Sequence, residues 1–319
     1  MKRSTTTLLG AAMVAAAFAA PAFGQAFPNK PLRMITSVGP GSPADVLCRI
    51  YSDELSQRIG QPVIVENRPG GNNLIAVNAL FEAPADGYAY ACFNHSNMVP
   101  ALHKDLPFDF LKAAEPVVSI YTFGFFLTVN GKLPVKTAQE FIAFIKANPG
   151  KYNYSYLVPT QQIGFAMFAK IAGLNMVEVG YKGPDAYRDL LAGVVHAQMD
   201  GPVSFKGQEK EGLVRFLFTA AEKRSDLTPD VPTAKEVGLG DFTLPSGLGL
   251  LAKAGTPKEA INKVNAAINE AMKTDRMKNS IRDTGGVATG GSPEDMRQQM
   301  IRDFKAWTDG AKATNYVPQ

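Results

Sequence analysis

Cysteine is nearly missing from this chain: Cys48 and Cys92 are the only two in 319 residues. That argues against a disulfide-built scaffold and against a cysteine-based zinc module. An oxidising compartment would let the two pair, but their spacing does not tell whether their Cα atoms come close enough. Two separate buried thiols are the expectation. Histidine is scarce too. His95, His103 and His196 form no ligand cluster with the cysteines, so no metal and no cofactor are expected. Charge of one sign is missing: the formal net charge is +4, and +2 once Lys2 and Arg3 are set aside. With no basic stripe carrying interleaved aromatics, nucleic acid is not a partner. Beyond the N-terminus no apolar run approaches the ~20 residues that span a bilayer. The motifs of hydrolases and nucleotide enzymes are also absent: no G-x-S-x-G elbow, no Walker loop and no H-E-x-x-H helix.

What is present starts with an export signal. Residues 1–26 read as a signal peptide: Lys2 and Arg3 form the charged region, 8–20 the apolar region, and small residues near Gly24 and Ala26 permit cleavage. The mature chain is expected in the periplasm. Its 45% hydrophobic and 19% charged residues describe an ordinary globular protein with a real core.

The stretch 31–49, PLRMITSVGPGSPADVLCR, organises the rest. Leu32, Met34 and Ile35 make a short strand, which Val38-Gly39-Pro40-Gly41 breaks. Ser42 then reads as an N-cap, Pro43 as the first helical residue and Asp45 as the residue that closes a capping box. A helix N-terminus after a glycine turn exposes unpaired N–H groups and the positive end of a dipole, a seat for a carboxylate. Strands at 63–65 and 88–93 alternate with a helix through Leu74, Val77 and Leu80, which predicts a parallel sheet with crossover helices. Ligands of such sheets lie beyond the carboxyl ends of the strands. That places Val38, Gly39, Gly41, Ser42, Ala44, Asp45, Asn72, Asn73, His95 and Ser96 on one rim.

A second α/β unit follows: a strand at 152–158, a helix capped by Thr160, a helix at 185–191, and strands at 197–199 and 214–219. Apolar segments at 117–129 and 244–251 cross between the units. The expected organisation is a first lobe of 27–122 and 248–319 and a second lobe of 123–247, with a ligand cleft closed by hinge motion.

The order and spacing of several segments resemble a known family. They are FPNKPLRMI, the GPGSPAD turn, LSQRIGQPVIVENRPGG, APADGYAY, NPGKYNYSY, VGYKG with DLLAG, KRSDLTPDVPT with EVGL, GLLAKAGTP and TGGSPEDM. Across nearly the whole mature chain it resembles the tripartite tricarboxylate transporter substrate-binding proteins, or Bug family. The resemblance implies a two-lobed type II periplasmic-binding-protein fold and a non-enzymatic role. It also implies capture of a small organic carboxylate for delivery to membrane permease subunits, by a protein acting as a monomer. A co-sensor for a signalling kinase and an exported hydrolase are the alternatives. The resemblance further implies that the first turn and the loop opening the Thr160 helix face the ligand, with Asp45 near it, often through water.

Three departures from the family pattern bear on the ligand. Ser42 follows Gly41 where the family has a second glycine. The loop 157–162 (LVPTQQ) lacks the usual Gly, Ser and Asn. The returning segment 245–249 (PSGLG) lacks the usual large aromatics. Lost aromatic bulk predicts a larger pocket and an aromatic or longer carboxylate, with Phe123, Tyr156 or Phe165 as walls.

Among residue-level expectations, the backbone N–H groups of Gly41, Ser42 and Ala44 grip one end of the ligand. Those of Gln161 and Gln162, after Thr160, grip the other. Asp200 sits at a strand end facing the pocket, and Arg33 and Arg49 pair with nearby acids.

Overall fold

A computed structural model describes residues 27–183 and 185–318. The expected signal peptide, 1–26, lies outside the described residues. In chain order the elements are β1 (Leu32–Thr36), α1 (Pro43–Ile59), β2 (Val63–Asn67), α2 (Leu74–Glu82), β3 (Ala89–Phe93), α3 (Phe110–Ala113), β4 (Ala114–Gly124) and β5 (Phe126–Asn130). Then come α4 (Ala138–Lys146), β6 (Asn153–Tyr156), α5 (Pro159–Ala172), β7 (Val177–Gly180), α6 (Asp185–Ala192), β8 (Ala197–Asp200), α7 (Lys206–Lys210) and β9 (Val214–Thr219). The chain closes with β10 (Pro245–Lys253), α8 (Lys258–Ala271), α9 (Asp275–Asp283), β11 (Val287–Gly290) and α10 (Pro293–Ala313).

The strands form two sheets, ordered β11-β4-β10-β3-β1-β2 and β7-β6-β8-β5-β9. Neither is purely parallel as the alternation predicted. β1 pairs in parallel with β2 and β3, and β6 with β7 and β8. β10, β4 and β11 pair antiparallel, as do β5, β8 and β9. The reason is the crossing: a strand that returns from the other unit meets the sheet from the opposite direction.

The long crossing strand expected at 117–129 is two strands, divided at Phe125. At Gly124 a Cβ would lie 2.5 Å from the backbone N of Ala221, so only glycine lets the first crossing segment pass the end of β9 there. The change of sheet at Phe125, and again ahead of Pro245, puts Phe123, Gly124 and 245–247 in the first sheet, not in the second lobe to which they were assigned.

Each lobe buries an apolar face. α1 and α8 cover one side of the first sheet, with Leu47, Tyr51, Leu55, Val264 and Ile268 against Leu32, Met34 and Tyr90. A larger cluster on the other side runs from Phe110 and Met300 through Phe304 and Trp307 into the second lobe at Phe165, Phe168 and Phe218. The last helix therefore belongs to both lobes. Gly310 packs against Met167 and Ile163 of α5, and Lys170 Nζ donates to Ala313 O (2.6 Å).

Candidate functional site

The first turn is built as the sequence suggests but uses its donors differently. Ser42 is the N-cap, its Oγ accepting from Asp45 N–H (3.3 Å). Asp45 does not close the box on Ser42. Its Oδ2 accepts from Gly41 N–H (2.9 Å) and from Arg49 Nε (2.9 Å), and its Oδ1 from Asn67 Nδ2 (2.6 Å). Burial alone would push this carboxyl's pKa up. The hydrogen bonds from Arg49, Asn67 and Gly41 outweigh it and hold the pKa down at about 2. Asp45 is thus a buried, fully engaged carboxylate.

Gly41 N–H is taken by Asp45, and Ser42 N–H donates to Gly39 O (3.4 Å). Among the described residues, Ala44 N–H is the donor of the expected trio left unengaged. Val38 O accepts from Asn67 Nδ2 (3.0 Å), which ties the turn to β2. Arg33 pairs with Glu66 (2.7 Å) and Arg49 with Asp45, as expected of both.

Cys48 and Cys92 are joined in a disulfide, not two separate thiols. Cys48 lies one turn beyond the N-terminus of α1 and Cys92 in β3. The pairing of β1 with β3 lays α1, which follows β1, against β3 and so brings them together, which no sequence spacing reveals. The bridge holds the start of α1 beside the end of β3, where Asn94, His95 and Ser96 follow.

His95 is buried, and its Nε2 donates to Asp303 Oδ2 of α10 (2.7 Å). It anchors the rim loop from behind. Ser96 is also buried, with Oγ donating to Pro245 O (3.3 Å), a carbonyl that accepts from Trp307 Nε1 as well (2.9 Å). Asn94 Nδ2 donates to Ser246 Oγ (2.5 Å). Ser246 is opposite Phe123 in the β10–β4 register, and the Phe123 ring lies against Gly201.

In the second lobe, Thr160 is not the cap. α5 begins two residues sooner than a Thr160 cap implies, at Pro159, with Val158 in the N-cap position and no side-chain cap, because proline with its fixed φ and missing N–H suits the first helical position. Gln161 N–H and Gln162 N–H both donate to Val158 O (3.1 and 3.3 Å), so neither is the free grip expected of it. Gln161 Oε1 accepts from Leu157 N–H (2.7 Å), and Gln162 Nε2 lies 3.3 Å from Glu178 Oε2. Asp200 is buried, with Oδ1 accepting from Gly201 N–H (2.7 Å). Burial pushes its pKa up, against the opposing pull of Gly201, Ser204, Tyr187 and Gln161. Tyr156 is half-buried, with its hydroxyl against Gly180. Phe165 is no pocket wall: it is buried and stacked on Tyr154 at 3.9 Å between centroids.

A continuous band therefore crosses the lobes: Asn94 and Ser96 against Ser246 and Pro245, Ser246 beside Phe123, Phe123 against Gly201, and Asp200 near Gln161. The disulfide holds the Val38–Asp45 turn at its first-lobe end. The sequence reading missed Asn67, Tyr187, Ser204, Ser246 and Trp307; Asn67, Ser246 and Trp307 act through partners distant in the chain, and Tyr187 and Ser204 through Asp200.

The segment that lacks the usual aromatics is closely packed at its two glycines. A Cβ on Gly247 would sit 2.6 Å from Tyr121 O, and one on Gly249 would sit 2.4 Å from Met296 Cε. These glycines admit close neighbours.

Among the described residues no group of three or more His, Cys, Asp and Glu is arranged to hold a metal ion, and no helix is long and apolar enough to cross a membrane.

Residues 47–309 match the profile of the Tripartite tricarboxylate transporter family receptor. A UPF0065 protein of Bordetella bronchiseptica is 34% identical over 308 residues, covering 92% of this chain and 90% of that relative. A solved structure described as a periplasmic transporter is 31% identical, with TM-score 0.81, covering 91% of this chain and 99% of that one. A protein of R. palustris, solved with adipate, is 25% identical, with TM-score 0.82, over 92% of this chain and 100% of that one. The chain belongs to the tripartite tricarboxylate transporter receptor family.

Proposed function

We propose that this protein captures a small dicarboxylate in the periplasm, between its two lobes, and delivers it to the permease subunits of a tripartite transporter. The observation that carries this reading is the band from Ser96 through Phe123 to Asp200, because it sets polar groups of both lobes on either side of an aromatic wall. At its ends are Ala44 N–H at the start of α1 and Thr160 in the first turn of α5. Each helix N-terminus favours one carboxylate. Asp45 does not meet the anion directly; it stiffens the first turn through Arg49 and Asn67. The raised pKa of Asp200 lessens its repulsion of a carboxylate nearby. The relative solved with adipate supports a linear six-carbon diacid as the first ligand to try. The glycines at 247 and 249 give no reason to prefer an aromatic one.

The test is native mass spectrometry of the exported protein, with release and identification of the acid that travels with it, followed by calorimetry with adipate. A bound diacid recovered unchanged supports capture and delivery. An empty protein that also gives no heat with adipate or other diacids contradicts the reading, and turnover of the acid points to a hydrolase.

A further inference from the structure

Away from α10, the first lobe also meets the second at the turn between α9 and β11. Gly285 stands there with φ +75°, a left-handed conformation that suits glycine. The turn is stiffened from within. Gly285 N–H donates to Arg282 O (2.8 Å), Gly286 N–H to Thr284 Oγ1 (3.2 Å), and Thr284 Oγ1 to Ile281 O (2.6 Å). From the second lobe, the buried Ser225 hydroxyl donates to Gly285 O (2.9 Å) and accepts from Leu227 N–H (3.2 Å). A Cβ on Gly285 would overlap Pro202 Cγ and lie 3.1 Å from Leu227 Cδ2, so the lobes meet there with no room for a side chain. Pro202 follows Gly201, which lies against Phe123 and donates its N–H to Asp200. The segment 200–202 is therefore contacted from the first lobe at two successive residues.

We propose that this turn is a clasp between the lobes, and that Gly285 and Ser225 are positioning residues that set the affinity of the cleft without touching its ligand. The proposal rests on the two-lobed capture proposed above. When only the closed form grips a ligand, apparent affinity scales with the closed fraction. A contact made only while the lobes are together therefore strengthens capture. The surroundings keep this contact small. Beside the turn a crevice of about 320 Å³ separates the lobes, with Lys206, Glu209, Lys210 and Asp226 on one side and Arg282 and Asp283 on the other. Three cations face three acids, so the crevice favours an ion of neither sign. Lys206 Nζ reaches across to within 3.8 Å of Asp283 Oδ1, but both side chains are partly exposed and such a pair is worth little. The seam thus depends on one buried hydrogen bond and the packing of Gly285 against Pro202 and Leu227. That biases the lobes toward closure and does not weld them. The clasp also ends two residues from Asp200, so its release frees the strand end that carries this carboxyl.

The test compares wild type with Ser225→Ala and Gly285→Ala. Small-angle X-ray scattering without ligand should give both variants a larger radius of gyration. Calorimetry should show adipate bound about fivefold more weakly, the loss expected of one neutral hydrogen bond. Stopped-flow measurements should place that loss in faster release, with association little changed. A wild-type radius and affinity in both variants overturns the proposal. So does weaker binding at an unchanged radius, or a larger radius at unchanged affinity. Melting temperatures identify a variant that has lost its fold; if Gly285→Ala has, Ser225→Ala, which removes a single oxygen, decides. If wild type binds no diacid, the proposed function falls, while the scattering comparison still decides whether the turn holds the lobes together.

Discussion

Cys48 in the second turn of α1 is bonded to Cys92 in β3, so a covalent link fixes the start of the first helix against the strand that leads to Asn94, His95 and Ser96. The bond closes a loop of 44 residues. Loops of that size lose roughly 2–4 kcal/mol when opened. The C48S/C92S variant should melt well below wild type, and reductant should lower the wild-type melting temperature once unfolding exposes the bond. Equal melting with and without reductant would refute this.

Asp45→Asn removes the ion pair with Arg49. The wild-type carboxyl has a pKa of about 2 in the fold, against ~3.9 unfolded, so its contribution is present above pH ~4 and is lost as pH falls toward 2. Allowing for the exposed Arg49 guanidinium, the contribution is about 1–2 kcal/mol at neutral pH. The variant should be less stable at pH 7 and should show a shallower loss between pH 4 and 2. Thermal melts across that range measure both.

Asp200 has the opposite sign. Its pKa is raised by burial, so the stability it allows is complete below the unfolded value of ~3.9 and declines as pH rises through the folded value. Asp200→Asn keeps an acceptor for Gly201 N–H and removes the buried charge. Its melting temperature at pH 7 should equal or exceed that of wild type, and Asp200→Ala should fall below both. A clear drop for the asparagine variant would contradict this assignment.

Gly247→Ala tests the strand contact. With Tyr121 O 2.6 Å from the added carbon, β10 and β4 must separate locally, at a cost of about 1–3 kcal/mol. Denaturant unfolding measures it. A neutral substitution would mean that the backbone there yields easily.

Much of this arrangement was readable in the chain because it is local. Ser42, Thr137 and Ser292 cap helices three residues from the amides they meet. The alternation of strands and helices, with the apolar runs at 117–129 and 244–251, carried the outline of two units and the segments that cross between them. What resisted reading was long-range or polar. α9, DRMKNSIRD, buries only Met277 and Ile281 and gives almost no apolar pattern. β11 has its first three residues exposed. His95 and Asp303 are 208 residues apart in sequence. The amides of Gly41, Ser42, Gln161 and Gln162 are not the free donors expected, because a helix start can satisfy its own amides, as Gly41 does through Asp45 and Gln161 does through Val158.

The final helix also governs how the molecule can move. It begins on the first sheet at Met296, fastens to the crossing carbonyl of Pro245 through Trp307, and ends on α5 beside Met167. Any swing of one lobe must pivot near that rod, since a larger translation would tear its far end from α5. The C-terminal turn thus acts as a leash on gape, and shortening it at Gly310 should widen the resting aperture before it loosens either half.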